Sequence, residues 1–254
     1  MGELGGKIAL VTGGSRGIGA AIAERLIAEG MRVAIVGRDR DALERTAHRI
    51  GAVAIRANVA ERGSAESILA AVRATLGEVD VVVPNAGIDA SHKLVETTDA
   101  VWDEVMATNV TAVFQLCRAA IPPMVARGSG RVVVVASTAG LAGYPYTSAY
   151  CASKHAVVGL VRALAAEIAR SGVTINAVCP GFVETAMSGR SVENIAHKTK
   201  QSAAAARASL ERMSPQNRLI DPSEVAHAVA SLLPAAARGI HGQALAINGG
   251  AYGG

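Results

Sequence analysis

Two kinds of hydrophobic pattern alternate along the chain. Short, near-continuous apolar runs such as Val79 to Val83 and Val132 to Ala136 suit strands covered on both faces. Such strands are predicted near Lys7, Met31, Ala52, Asp80, Arg131, Thr174 and Gln243. Helices are predicted between them, including Gly17 to Glu29, Arg40 to Ile50 and Tyr150 to Arg170. Asp221-Pro222-Ser223-Glu224 is a strong helix start, with a capping acid, proline at the first position and glutamate at the third. Strand–helix alternation implies an α/β fold, a doubly wound seven-stranded parallel sheet with helices on both faces. No repeat or linker breaks the pattern, so residues 1–254 read as a single domain. In such sheets, ligands bind beyond the C-terminal ends of the strands.

Composition narrows the picture. Half of the 254 residues are hydrophobic but only 3% are aromatic, so the core must be built from Val, Ile, Leu and Ala. No apolar run is long enough to span a bilayer and the N-terminus lacks signal-peptide features, which makes the cytoplasm the expected location and a membrane partner unexpected. Cys117, Cys151 and Cys179 match no metal or redox spacing. They read as buried, inert thiols, Cys151 included although it adjoins Tyr150. His48, His92, His155, His197, His227 and His241 are scattered, so no catalytic metal is expected. The net charge of +4 is dispersed, without the clustered stripe that nucleic-acid binding requires. It suits a phosphate-rich cofactor, a CoA or an acidic carrier protein.

Chemistry concentrates after the strands. Thr12-Gly13-Gly14-Ser15-Arg16-Gly17-Ile18-Gly19 lies between the first strand and the first helix. Its glycines permit a tight turn and close approach to a pyrophosphate, which the helix N-terminus would attract. Its G-x-x-x-G-x-G spacing differs from the commoner G-x-G-x-x-G. Tyr150 and Lys154 would share one face of a helix. A phenol beside an ammonium makes a proton donor, since a neighbouring positive charge lowers a phenol's pKa. Ser137 ends the run Arg131 to Ala136, where a hydroxyl can polarise a substrate carbonyl. Each feature alone has a plain structural reading: a surface Tyr–Lys pair, a turn serine, an ordinary glycine loop. Their occurrence together and in this order gives them weight.

Together these residues resemble the short-chain dehydrogenase/reductase family, over Lys7 to Gly250. The motifs are the Thr12-to-Gly19 turn, Asn85-Ala86-Gly87, Asn109, Ser137, Tyr150-x-x-x-Lys154 and Pro180-Gly181. The likeness is greatest to β-ketoacyl carrier-protein reductases and related polyketide or acyl-CoA ketoreductases. The resemblance implies a Rossmann fold with Tyr150 as general acid in reduction and base in oxidation. It implies that Lys154 depresses the pKa of Tyr150 and binds the nicotinamide ribose, that Ser137 orients the carbonyl, and that Asn109 holds a water linking Lys154 to solvent. Gly13, Ser15, Arg16, Gly17, Ile18, Gly19, Asn85, Ala86 and Gly87 would support the cofactor, Asn58 and Val59 its adenine, and Pro180, Gly181, Val183 and Thr185 its nicotinamide end. Asn58 stands where many relatives carry Asp, and Pro84 where the family often has Asn; proline lacks an N–H, so one local backbone bond must be absent or replaced.

The end of the second strand carries Gly37-Arg38, where NAD-binding proteins usually place an acid for the ribose 2′-hydroxyl. Arg38, with Arg16, can pair a 2′-phosphate, so NADP(H) is the expected cofactor. The alternative is a solvated loop arginine. Asp39 reads as the cap of the next helix.

Residues 184–213 form the least standard segment. Ser191 to Arg212 is Ala-rich and predicted helical, either a substrate lid or a surface or interface helix. Met187, Ile195 and Met213 are candidate apolar contacts, with Tyr144, Tyr146, Leu141 and His92 on the opposite wall. The expected activity is NADPH-dependent, reversible carbonyl/secondary-alcohol hydride transfer on a 3-oxoacyl thioester or related ketone. The alternatives are a dehydrogenase of a hydroxyacyl-CoA, sugar or cyclic alcohol, or a non-catalytic dinucleotide-binding regulatory protein. The resemblance also implies a homotetramer, with helices beginning near Asp99 and Tyr150 forming one face, and the last strand and Gly-rich tail another.

Overall fold

A computed structural model describes residues 2–251; the last residues of the Gly-rich tail lie outside the described residues. Seven parallel strands form one sheet: β1 (Ile8–Thr12), β2 (Arg32–Gly37), β3 (Val53–Arg56), β4 (Val81–Val83), β5 (Gly130–Val135), β6 (Val173–Pro180) and β7 (Ala244–Ile247). Their order is β3-β2-β1-β4-β5-β6-β7. The winding reverses between β1 and β4, the switch point beyond which sheets of this kind bind their ligands.

Period-two alternation within the apolar runs divides the core into two layers. On one face Ile8, Leu10, Val132 and Val134 pack against α3 (Ser64–Thr75), α5 (Ala112–Ala126) and α6 (Ser148–Ile168). On the other, Ala9, Val11, Val133 and Val135 meet α1 (Gly17–Ala28), α2 (Arg40–Ile50) and α9 (Pro222–Ser231). No aromatic ring is among the buried hydrophobic side chains of the described residues. Between β4 and α5 stands α4 (Asp99–Met106), and between β6 and α9 stand α7 (Ala186–Thr199) and α8 (Ala203–Glu211).

The predicted caps form. Ala42 N–H donates to Asp39 Oδ1 at 3.1 Å, and Ser223 N–H to Asp221 Oδ1 at 2.8 Å. Pro84 ends β4 after only three residues; its carbonyl still accepts from Val135 N–H at 2.9 Å, so the missing donor costs the sheet one bond and no register. One helix prediction needs correction. Ser191 to Arg212 is not a single helical stretch: α7 begins earlier, at Ala186, and ends at Lys200, which is left-handed at φ 55°. Ser202 then starts α8 by accepting from Ala205 N–H at 3.2 Å. The break has a local sign in the sequence: the alanines gather at residues 203–208, directly after the capping Ser202.

Candidate active site

The glycine turn and the Asn85 loop are locked together at the switch point. Thr12 Oγ1 accepts from Asn85 N–H at 3.0 Å and Ala86 N–H at 3.1 Å. Asn85 Nδ2 donates to the Thr12 carbonyl at 2.8 Å and more weakly to that of Gly13. A Cβ on Gly19 would lie 2.3 Å from the Gly13 carbonyl oxygen and 2.5 Å from Asn85 Nδ2, so no side chain fits there. Gly13 and Gly17 have φ of 66° and 56°, which only glycine adopts freely. Ser15 and Ile18 are half-buried and Arg16 is exposed. The first helical turn of α1 holds no acid and no side-chain cap, unlike α2 and α9. Uncapped N–H groups, absent carboxylates and glycine backbone fit a dinucleotide's pyrophosphate. Thr185 lies on the far side of this turn, its methyl 3.3 Å from where a Gly17 Cβ would stand. Pro180 closes β6. Gly181 N–H bonds Ile247 O at 2.9 Å, and Val183 forms a parallel bridge with Ile220.

At the nucleotide's other expected contact, Asn58 Oδ1 accepts from Ala60 N–H at 3.3 Å and its Nδ2 donates to Glu61 at 3.3 Å. Asn58 and Val59 are half-buried beyond β3, and Arg38 is exposed beyond β2.

The second cluster lies beyond β4 and β5. Ser137 caps a short 3-10 turn by accepting from Ala139 N–H at 3.1 Å. That turn packs on α6 so closely that a Cβ on Gly140 would sit 2.6 Å from the Lys154 carbonyl oxygen. Lys154 is buried, its Nζ donating to Val135 O at 3.1 Å and standing 5.7 Å from the Tyr150 ring centre. Burial pushes its ammonium down to about 8. Tyr150 is half-buried, and desolvation pushes its phenol up to about 12 against the opposing hydrogen bond with Ser137. This differs from the expectation that Lys154 holds the phenol below its ordinary range: in the protein alone, loss of hydration governs both groups and moves them towards neutrality.

Asn109 sits in a π-helical turn, Ala107–Thr111, joining α4 to α5. Such a bulge re-aims a side chain that a regular helix would place elsewhere. Its Oδ1 accepts from Ile88 N–H at 2.9 Å, and its Nδ2 donates to Ile88 O at 2.9 Å and Ser153 Oγ at 3.1 Å. A Cβ on Gly87 would lie 3.2 Å from Asn109 Oδ1 and 3.7 Å from Lys154 Nζ, so Gly87, Asn109 and Lys154 meet.

Several positioning residues escaped the sequence reading. Ser153 is fully buried and ties Asn109 to the Tyr150 carbonyl, to which it donates at 2.7 Å. Its place three residues after Tyr150 on a helix was the available signal. Thr12 joins the two loops, and Ser188 fixes the start of α7 by accepting from Thr185 N–H at 3.0 Å and donating to Val183 O at 2.7 Å.

Of the candidate walls, Tyr144 donates to Thr138 Oγ1 at 2.8 Å and meets Phe182 edge-on at 6.1 Å. Leu141, Met187 and Ile195 are half-buried; His92, Tyr146 and Met213 are exposed. Tyr146 O accepts from His92 N–H at 2.8 Å. The expectation of three inert buried thiols holds for Cys117 and Cys179, which burial raises to about 12 and 11, but not for Cys151. That thiol is half-buried, 3.2 Å from Thr147 Oγ1, because it faces the loop before α6 instead of the sheet. Among the described residues no three His, Cys, Asp or Glu side chains gather to hold a metal, and no helix is long and apolar enough to cross a membrane.

The family model described as short chain dehydrogenase matches residues 7–196. A putative ketoacyl reductase of Streptomyces coelicolor is 39% identical over 251 residues, 96% of each chain. A 3-oxoacyl-[acyl-carrier-protein] reductase of Salmonella typhimurium is 37% identical over 97% of this chain and 98% of its own. Among solved structures, an actinorhodin polyketide ketoreductase with NADPH superposes with a TM-score of 0.94 at 38% identity, covering 99% of both chains. Levodione reductase superposes with a TM-score of 0.92 at 31% identity, covering 97% of both chains. The chain belongs to the short-chain dehydrogenase/reductase family of oxidoreductases.

Proposed function

We propose that this short-chain dehydrogenase/reductase is an NADPH-dependent ketoreductase, reducing a 3-oxoacyl thioester or related ketone to the secondary alcohol. The observation that carries this is the meeting of Tyr150, Ser137, Lys154 and Asn109 at the switch point, opposite a glycine turn that fits a dinucleotide. NADPH, when bound, supplies the hydride to the carbonyl carbon. Ser137 Oγ donates to the carbonyl oxygen, and the Tyr150 hydroxyl delivers the proton that the oxygen gains. A phenol near 12 is fully protonated at neutral pH, the state reduction requires. Lys154, near 8, readily exchanges its proton, and we assign it to the nicotinamide ribose and to reprotonating Tyr150 through a water at Asn109. Asn58, Val59, Asn85, Ala86 and Gly87 flank the nucleotide, and Pro180, Gly181, Val183 and Thr185 its nicotinamide end. The α7–α8 segment closes over the substrate as a lid. Arg207 of α8 pairs with Glu184 beside Thr185, and Arg190 of α7 lies 3.6 Å from Asp89 beyond Gly87; these ion pairs support that reading.

We also assign a homotetramer working in the cytoplasm. Exposed Trp102 and Phe114 on α4 and α5, and Leu245 on β7, are apolar groups that subunit contacts would cover. Light scattering after gel filtration tests the assembly.

The test of activity is the initial rate of NADPH and NADH oxidation with acetoacetyl-CoA, a carrier-surrogate thioester and a cyclic ketone, and of the reverse reaction with matching alcohols. Thioester-dependent NADPH consumption is expected. Turnover confined to the cyclic alcohol with oxidised cofactor would move the chain to the dehydrogenase reading. Tight NADPH binding without turnover on any substrate would make it a binding protein.

A further inference from the structure

The ends of β2 and β3 carry a feature outside the family motifs. Gly37 and Arg56 are register partners, and paired residues of neighbouring strands point to the same face of a sheet. That face is fixed by Gly37: a Cβ there would meet Leu43 Cδ1 at 3.3 Å and Ser15 Oγ at 3.4 Å. It is therefore the face on which the glycine turn lies. Arg56 Nε donates to the Arg38 carbonyl at 3.4 Å, which draws the guanidinium of β3 towards the turn after β2 and leaves both Nη groups without a partner among the described residues.

Three arginines thus stand on three neighbouring segments: Arg16 next to Ser15, Arg38 next to Gly37, and Arg56. None forms an ion pair among the described residues. Their neighbour Arg40 does, with Glu44 at 2.8 Å. The nearest acid, Asp39, is turned to the N–H of Ala42, and Gly37 stands where a competing carboxylate would be. Gathered like charges repel unless an anion sits among them, and planar guanidinium groups suit phosphate oxygens.

We infer that Arg56 is a specificity-determining residue that contacts the 2′-phosphate of the nucleotide together with Arg38 and Arg16. This rests on the assignment of NADP(H) as cofactor. The guanidinium of Arg56 distinguishes the phosphorylated from the unphosphorylated ribose and takes no part in hydride or proton transfer.

Fluorescence titration of NADPH and NADH separates the possibilities, with wild type, Arg56→Ala, Arg56→Lys and Arg38→Ala. Arg56→Ala is expected to weaken NADPH by about tenfold and leave NADH affinity unchanged. Arg56→Lys should recover part of the loss. Adenosine 2′,5′-bisphosphate should lose affinity in Arg56→Ala while 5′-AMP does not. Unchanged NADPH affinity, or equal losses for NADPH and NADH, overturns the inference. If Arg38→Ala in that event weakens NADPH more than NADH, only the role of Arg56 falls; if its losses are equal, the 2′-phosphate site itself falls with it. Unaltered NADH binding shows that the variant is folded.

Discussion

The adenosine end of the cleft is built from backbone and exposed charge: glycines that admit no side chain, an uncapped helix terminus, and solvent-facing Arg16 and Arg38. The other end is built from buried polar side chains. Lys154, Asn109 and Ser153 are nearly inaccessible, every one hydrogen-bonded, and burial moves Lys154 and Tyr150 away from their ordinary pKa values. The difference follows from the two tasks. Holding a phosphate needs fixed N–H groups and strong cations in reach of solvent. Moving a proton needs a donor that holds its proton and a neighbour able to give one up: burial keeps Tyr150 protonated, raised to about 12, and brings Lys154 down to about 8.

Perturbing the buried end should give the largest effects. Ser137→Ala should lower kcat by roughly 10²–10³, the range for losing one donor to a developing oxyanion, with NADPH affinity intact. A loss confined to KM would mean that Ser137 is only the cap of its turn. Gly19→Ala comes next. Its methyl would press on the Gly13 carbonyl and Asn85, costing about 1–3 kcal/mol of overpacking strain and most cofactor affinity. Wild-type melting and NADPH titration in that variant would show the turn to be looser than described.

At the exposed end, Arg38→Ala should weaken NADPH about tenfold more than NADH. Equal losses would sever Arg38 from the 2′-phosphate.

Smaller, and diagnostic of burial, is the dependence of stability on pH. With Lys154 lowered from 10.5 to about 8, the unfolded chain binds the extra proton between those values, so stability rises with pH through that window. Tyr150 acts oppositely above its ordinary 10.0, where the folded chain keeps the proton up to about 12. Lys154→Met should flatten the rise between about pH 8 and 10 in denaturant melts. An unchanged slope would place Lys154 in contact with water. The least effect is expected of Arg207→Ala, an exposed pair with Glu184: a KM increase of about threefold or less and no change in melting.

The two ends also differed in how far the sequence disclosed them. Backbone-built features are legible because glycine, proline and capping residues have local meaning: the turn, the Asp39 cap bounding Arg40–Ile50, and the Asp221 box all stand where the pattern put them. The inner strands were legible because strands covered on both faces leave continuous apolar runs; the edge strands β3 and β7, half-exposed, were placed by the strand–helix alternation. The buried network was legible only in part. Tyr150, Lys154, Ser137 and Asn109 were found through the family motifs, yet the π turn that aims Asn109, the bridging hydroxyl of Ser153 and the hydrogen bonds of Thr12 arise from contacts distant in sequence. So does the direction of the Tyr150 shift.

The central claim is that the half-buried phenol of Tyr150 supplies the proton while a separate, backbone-built end holds the nucleotide. Its most direct test is Tyr150→Phe, followed in one preparation by NADPH fluorescence titration and by NADPH consumption with acetoacetyl-CoA. Unchanged NADPH affinity with turnover reduced by roughly 10²–10⁴ is expected; turnover at the wild-type rate would contradict the account.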